Sequence, residues 1–307
     1  MSSSPKSYES VVCNLCGADD PAVLLPALPP NGGEHQFAAS GESPLRDRLV
    51  RCKKCGLVYV SPRLKQQAIE SGYENVDNTV YIEQAAGRLQ TFQRALQWLD
   101  TIGVAKGQVL DIGCAAGFFV RAAQDAGWKA TGIEISKHLC EYGRNQLGVN
   151  ILQGTLENST LPPHSFDLVT FWDVLEHVSD PTDALERARK LLKPGGYLLV
   201  NYPHYGSIWA KLLRRRWWFL IDVHIYYFTP RTLAKLLRKC GFTPKHERMH
   251  FQTLPLGYLT DRVKSIFPKL GGAVKTGVRL THMDNLPFTY YASQKSCLAQ
   301  VTDGPKR

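Results

Sequence analysis

The 307-residue chain is long enough for one large domain with an appendage, or for two domains, and its 44% apolar content excludes global disorder. A net charge of +10 points to an anionic partner without choosing among nucleic acid, a phosphorylated or nucleotide-linked substrate, and an anionic membrane surface. No run of about 18 apolar residues is present, which excludes a simple spanning helix, and "MSSSPKSYES" lacks the apolar core of a secretion signal; the expected location is the cytoplasm, where disulfides are rare.

Taken in chain order, residues 1–10 read as a disordered tail. Cys13, Cys16, Cys52 and Cys55 then form two C-x-x-C pairs, "CNLCG" and "CKKCG". Each pair puts two thiolates on one tight turn, and the following glycine lets the backbone bend. Two such turns supply the four tetrahedral ligands of a closed, structural Zn2+ site; a redox dithiol or a chance pattern is the competing reading. Between the pairs, "PALPPNGGEHQF" reads as an inserted loop, and "RLVRCKKCGLVYVSP" as a hairpin packed on the metal turns. This small zinc-binding module is expected to end near residue 70, with a second domain over 71–307. Cys114, Cys140, Cys240 and Cys297 read as buried apolar side chains.

A helix over 81–102 follows, with Leu89, Phe92, Leu96 and Leu99 at spacings of three and four. Strands are expected at 108–112, 129–134, 149–153, 166–171 and 196–202, and helices at 116–126, 136–147 and 181–192. Ser136 caps the second of these helices; Asp180 caps the third, with Pro181 in its first turn and "KPGG" at its end. A further helix, 230–240, has Thr229 as cap and Gly241 after its end. The alternation predicts an α/β fold, a parallel sheet covered on both faces.

"VLDIGCAAGFFV" runs a buried strand into a turn of small residues and then a helix. Such a turn lets a ligand approach the backbone. The first strand ends at Asp111, and the turn holds Gly113, Ala115 and Gly117. The second strand ends at Glu134, where a carboxylate can accept both hydroxyls of a ribose. A dinucleotide calls for G-x-G-x-x-G; here the third glycine is missing and Asp111 would repel a pyrophosphate. A ribose with a cationic amino-acid tail and no phosphate describes S-adenosyl-L-methionine, whose sulfonium the carboxylates tolerate.

From about residue 80 to 250 the chain resembles the class I S-adenosylmethionine-dependent methyltransferases. "VLDIGCAAG" looks like their glycine motif, "GIEIS" like their ribose motif, and "GTLENSTLPPHSFDLVTFWDVLEHVSDP" like the third and fourth motifs; "LLKPGGYLLVNYP" is similar to the fifth strand and its preceding turn. The resemblance implies a Rossmann-like seven-stranded sheet whose last strand is antiparallel, with "YYASQKSCLAQVTD" as the candidate. It also implies that Leu156 offers its N–H to adenine, that Ile135 packs on the ring and that Trp172 lies near the methionine portion. Two positions depart from the family pattern. Ala115 replaces a glycine, and Thr155 stands where many relatives have an aspartate for the adenine amino group. A closer resemblance, carried by the Cys-x-x-Cys pair, "RCKKCGLVYVSPR" and "RRRWWFLIDVHIYYFTPRTLAKLLRKCGF", is to bacterial methyltransferases acting on small molecules, sugars or lipid-linked intermediates.

An acceptor hydroxyl also needs a base. His177, in "DVLEHV", follows the fourth strand, and His224 lies in an insertion, about 203–228, expected to form a lid; the plainer reading of each is a structural histidine. By the resemblance to ubiquinone-pathway relatives, Asp173, Glu176 and His177 are candidates for a divalent ion. "SIWAKLLRRRWWFLI" combines three arginines with three tryptophans and reads as a lid helix, a peripheral membrane anchor or a nucleic-acid surface. The expectation is methyl transfer to oxygen of a small-molecule, sugar- or lipid-linked acceptor. The alternative is an RNA methyltransferase that grips RNA with the zinc module. The lack of a D/N-P-P-Y/F motif after the fourth strand counts against a nucleic-acid partner.

Overall fold

The computed structural model describes residues 8–28, 44–74 and 78–302. The tail before residue 8 and most of the Pro/Gly loop lie outside the described residues. The N-terminal strands are β1 (Tyr8–Glu9), β2 (Pro21–Leu25), β3 (Leu49–Cys52), β4 (Val58–Val60) and β5 (Arg63–Leu64). Residues 8–9 are not tail: they pair antiparallel with Arg63–Leu64. β3 and β4 form the hairpin expected around the second cysteine pair.

Helices α1 (Gln66–Glu74), α2 (Thr79–Glu83) and α3 (Ala85–Thr101) lead into the main sheet. The single helix expected over 81–102 is broken at Gln84, which caps α3. There follow β6 (Gln108–Ile112), α4 (Phe118–Asp125), β7 (Lys129–Glu134), α5 (Lys137–Tyr142), β8 (Ile151–Gln153), β9 (Phe166–Trp172), α6 (Pro181–Leu191) and β10 (Leu192–Pro203). Residues Gly143–Leu147 prolong α5 as a π-helical turn to the end of the helix expected at 136–147, and the strand expected at 149–153 begins at Ile151. "KPGG" lies inside β10, where the register with β9 shifts between Leu192 and Tyr197.

The helix starts follow from side-chain caps. Ser136 accepts from the Leu139 N–H at 3.4 Å and Asp180 from the Asp183 N–H at 3.0 Å. After β10 come α7 (Ile208–Leu213), β11 (Tyr226–Tyr227) and α8 (Pro230–Lys239), where Thr229 and Thr232 form a reciprocal capping box. The chain closes with β12 (Phe242–Pro255), α9 (Leu256–Ile266), α10 (Pro268–Leu280) and β13 (Pro287–Val301).

Seven strands make the main sheet in the order β12-β13-β10-β9-β6-β7-β8. β13 lies antiparallel to both neighbours, whereas β10, β9, β6, β7 and β8 pair in parallel, so the one reversed strand is the last. β6 is buried from Val109 to Ile112, as expected for a parallel strand covered on both faces. Each large apolar side chain of this kind, such as Phe171 in β9, stabilises the fold by about 1.5–3 kcal/mol.

The cysteine module and the sheet share one apolar core, which runs from Cys13, Leu49 and Tyr59 to Val169, Phe171 and Leu198. A second sheet, β11-β4-β3-β2, ties them further. Its edge strand, β11, comes from the 203–228 insertion, with Tyr226 opposite Tyr59 and Tyr227 opposite Val58. No helix among the described residues is long and apolar enough to cross a membrane.

Candidate active site

A cavity opens at the C-terminal ends of β6, β7 and β9, where open α/β sheets bind ligands. Of the residues expected at a cofactor, Asp111, Gly113, Ala115, Glu134, Ile135, Thr155, Leu156 and Trp172 line it, and so does His177. Gly117 and His224 are not among the lining residues. Gly117 instead caps α4, and a Cβ there would meet Val149 at 2.8 Å. The described lining residues include none from 203–228, the expected lid; α1 contributes Gln66, Ile69, Glu70 and Tyr73 instead. Tyr73 and Ile69 stand one helical turn apart in "AIESGY", the local signal that α1 has an inward face. Arg88 and His250 also line the cavity; sequence reasoning did not single them out, because no motif surrounds either.

The glycine turn is built around Glu134. Its two carboxylate oxygens accept from the backbone N–H of Ala115 and of Ser136, both at 2.8 Å. The second-strand acid thus fixes the turn after the first strand, and each oxygen keeps a further lone pair. Gly113 has φ +65°, and a Cβ there would meet Val174 at 2.8 Å. Ala115 adopts φ +47° without being glycine, backbone strain placed at the cavity wall.

Asp111 is 2% exposed and accepts from the Thr170 hydroxyl at 2.6 Å. Burial pushes its carboxyl up to about 8; the Thr170 hydroxyl opposes that rise and the nearby Glu134 adds to it. Burial raises Glu134 as well, against the backbone N–H groups that favour its charge. Two desolvated acids at one end of a cavity are a site prepared for a cation. Trp172 forms another wall, with ring centroids 5.2 Å from Phe92 and 5.5 Å from His250. The Arg88 guanidinium lies 3.7 Å over the Tyr81 ring.

His177 Nδ1 is 2.9 Å from the Val223 carbonyl and 2.8 Å from the Tyr73 hydroxyl. A carbonyl only accepts, so the proton is assigned to Nδ1, which leaves Nε2 as an acceptor. Burial pulls the imidazole down to about 4, so it is neutral at pH 7. His224 repeats the pattern: its Nδ1 lies 2.8 Å from the Phe219 carbonyl, its ring centroid 4.6 Å from that of His177, and burial holds it neutral. Glu176 is 1% exposed, and neither carboxyl oxygen has a hydrogen-bond partner among the described residues.

Glu176, His177 and His224 each present a donor atom, all within 4.8 Å of one another, a set able to share a proton or hold a cation. Asp173, expected in that set, is not in it. Its Oδ1 accepts from Asn201 Nδ2 at 2.8 Å and Gln294 Nε2 at 2.6 Å.

The second cluster is Cys13, Cys16, Cys52 and Cys55, with all four sulfurs within 4.8 Å. The Cys13–Cys55 and Cys16–Cys52 Sγ pairs are 3.4 and 3.5 Å apart. A tetrahedral ion with Zn–S bonds of about 2.3 Å requires sulfurs about 3.8 Å apart, so the donors fit zinc after slight expansion. The two turns close alike, Gly17 N–H donating to Cys13 O and Gly56 N–H to Cys52 O.

A family model described as a methyltransferase domain matches residues 81–247. The chain belongs to this methyltransferase family. The ubiquinone biosynthesis O-methyltransferase of Thiobacillus denitrificans is 33% identical over 166 residues, covering 48% of this methyltransferase and 69% of that protein. Its Vibrio cholerae counterpart is 33% identical over 105 residues, 32% of this chain. The match spans 43% of that relative's length. A methyltransferase crystal structure from Bacillus halodurans superposes with a TM-score of 0.51 at 18% identity, covering 68% of this chain and 100% of that one; it supports the fold alone.

Proposed function

We propose that this methyltransferase transfers a methyl group from S-adenosylmethionine to an oxygen of a small-molecule acceptor, sugar- or lipid-linked acceptors included. The observation that carries the proposal is the pair of buried carboxylates, Asp111 and Glu134, at the ends of adjacent parallel strands. When bound, S-adenosylmethionine supplies a methyl group activated on a sulfonium. Glu134 takes the ribose hydroxyls on its remaining lone pairs, and Asp111 offers negative charge to the cationic tail. Arg88, at the cavity wall, is suited to the tail's carboxylate. Thr155, Leu156 and Ile135 meet the adenine, and Trp172 flanks the amino-acid portion.

Methyl transfer is an in-line displacement, so most of the acceleration comes from holding the acceptor oxygen in line. His177 accepts the acceptor's proton on Nε2, while Tyr73 and Val223 fix the ring. His224 stands beside it in a supporting role. The acceptor atom is assigned to oxygen from the O-methyltransferase relatives. The four thiolates hold a structural Zn2+, which leaves no open position for chemistry. The proposed location is the cytoplasm, where eight free thiols stay reduced.

Calorimetric titration with S-adenosylmethionine tests the cofactor: Glu134→Ala should abolish binding while circular dichroism is unchanged. Unchanged affinity would remove the ribose assignment. Methyl-donor labelling of a cell extract, read by mass spectrometry, identifies the acceptor.

A further inference from the structure

We propose that α7, the arginines after it and the α9–α10 hairpin form one surface that docks on an anionic lipid bilayer. Two segments distant in sequence build it. Ile208, Trp209 and Leu212 on α7 are 65, 42 and 67% exposed. Phe267, Leu270 and Val274, at and after the α9–α10 junction, are 45, 61 and 42% exposed. A shallow groove brings Leu212 and Arg214–Arg216 against Phe267, so the two sets are neighbours. Single exposed apolar side chains are ordinary, but a cluster of them marks an interface. Gly271 holds the hairpin together: a Cβ there would meet the Lys264 backbone at 2.3 Å. α10 packs chiefly on α9, which leaves Leu270 and Val274 uncovered.

The charges around the patch choose its occupant. Residues 204–221 contain Lys211, Arg214, Arg215 and Arg216 and no acidic residue. Among the described residues none of the three arginines is paired with a carboxylate; Arg215 donates to the Pro26 carbonyl at 2.9 Å. Lys264 and Lys269 add positive charge on the hairpin. Aliphatic and aromatic side chains entering the acyl boundary, with guanidinium groups at lipid phosphates, is the chemistry of an interfacial anchor. A second copy of the chain would bring like charges together. RNA would call for a row of stacking rings, whereas four of the six exposed apolar side chains, Ile208, Leu212, Leu270 and Val274, are aliphatic.

Docking there also orients the cavity. Leu254 lines it, and α9 begins two residues later at Leu256. The rim therefore lies close in sequence to the membrane-facing helices, which suits an acceptor carried in the lipid. That last point rests on the proposed methyl transfer; the docking itself does not.

The test is flotation of the full chain with phosphatidylcholine vesicles, with and without about 30% phosphatidylglycerol, at about 50 and about 300 mM salt. Vesicles with phosphatidylglycerol should be bound at least about tenfold more tightly, and less so at high salt. At about 1 kcal/mol per arginine near the surface, R214Q/R215Q/R216Q should weaken binding on the order of 100-fold. L212S/L270S should weaken it at least about tenfold. Circular dichroism and cofactor titration verify that both variants are folded. Hydrogen exchange on the unaltered protein, independent of any variant, should show vesicle-dependent protection at 208–216 and 264–274. Absence of binding to anionic vesicles, or full binding by the triple variant, overturns the proposal. So does a short RNA held in place of vesicles, or a dimer that L212S/L270S dissociates. If vesicles bind but S-adenosylmethionine does not, the methyl-transfer proposal fails and the docking proposal stands.

Discussion

Lowering the pH from 8 to 6 should weaken S-adenosylmethionine binding by about 50-fold. The cause is Asp111, whose burial beside Glu134 pushes it up to about 8 from its ordinary 3.8. A cationic ligand needs the ionised carboxylate, so below pH 8 binding must expel a proton. At pH 6 only about one molecule in a hundred has that carboxylate ionised, and each pH unit costs about 1.4 kcal/mol. Titration calorimetry at pH 6, 7 and 8 should give a log Kd that falls by about one per unit and flattens above 8. Repeating it in buffers of different ionisation enthalpy should show proton release. Asp111→Asn should bind weakly at every pH, with the slope gone. A flat wild-type profile between pH 6 and 7.5 would refute the assignment of charge to this acid. The sign for stability is opposite. A carboxyl raised on folding stabilises below its unfolded value, and that contribution is lost as pH rises through the folded value. Asp111→Asn should therefore raise the Tm of the ligand-free protein more at pH 8 than at pH 5.

Cys13→Ser should release the metal and lower the Tm of the fold, because the module shares the sheet's core; metal content unchanged by mass spectrometry would end the four-thiolate proposal. Gly113→Ala should destabilise by about 1–2 kcal/mol for the left-handed backbone alone, with the Val174 contact adding to it; an unchanged Tm in a thermal melt would contradict this. His177→Ala should lower kcat by about 10²–10⁴ with cofactor Kd unchanged, measured with whichever acceptor labelling reveals. Because that imidazole sits at about 4, the wild-type rate should show no loss from His177 protonation between pH 7 and 5; a fall at pH 6.5 that H177A abolishes would refute its assignment as a neutral base.

Much of this arrangement could be read along the chain because it depends on neighbours in sequence. Asp180, Ser136 and Thr229 cap helices that begin at the following residue. β6 and β9 are mostly apolar because both faces are covered. Asp111 and Glu134 could be placed at the cavity from their positions at strand ends. What stayed hidden depends on contacts between distant segments. Nothing local in Tyr226 or Tyr227 announces a partner in β4, yet Tyr226 also accepts from Arg63, 163 positions away, at 2.9 Å. The place of α1 against the cavity depends in the same way on Tyr73 reaching His177. The divergence between Asp173 and His224 is likewise tertiary: the amides of Asn201 and Gln294 claim the former, and the insertion carries the latter to Glu176.

The strand that β11 lends to the cysteine module sets an order of events during synthesis. β4 emerges from the ribosome long before Tyr226 and Tyr227, so for most of translation its outer edge has open N–H and C=O groups. A fragment cut after the module would keep that edge exposed for good and should self-associate. The N-terminal piece is therefore not a detachable part, and swapping it between relatives requires moving the distant insertion with it.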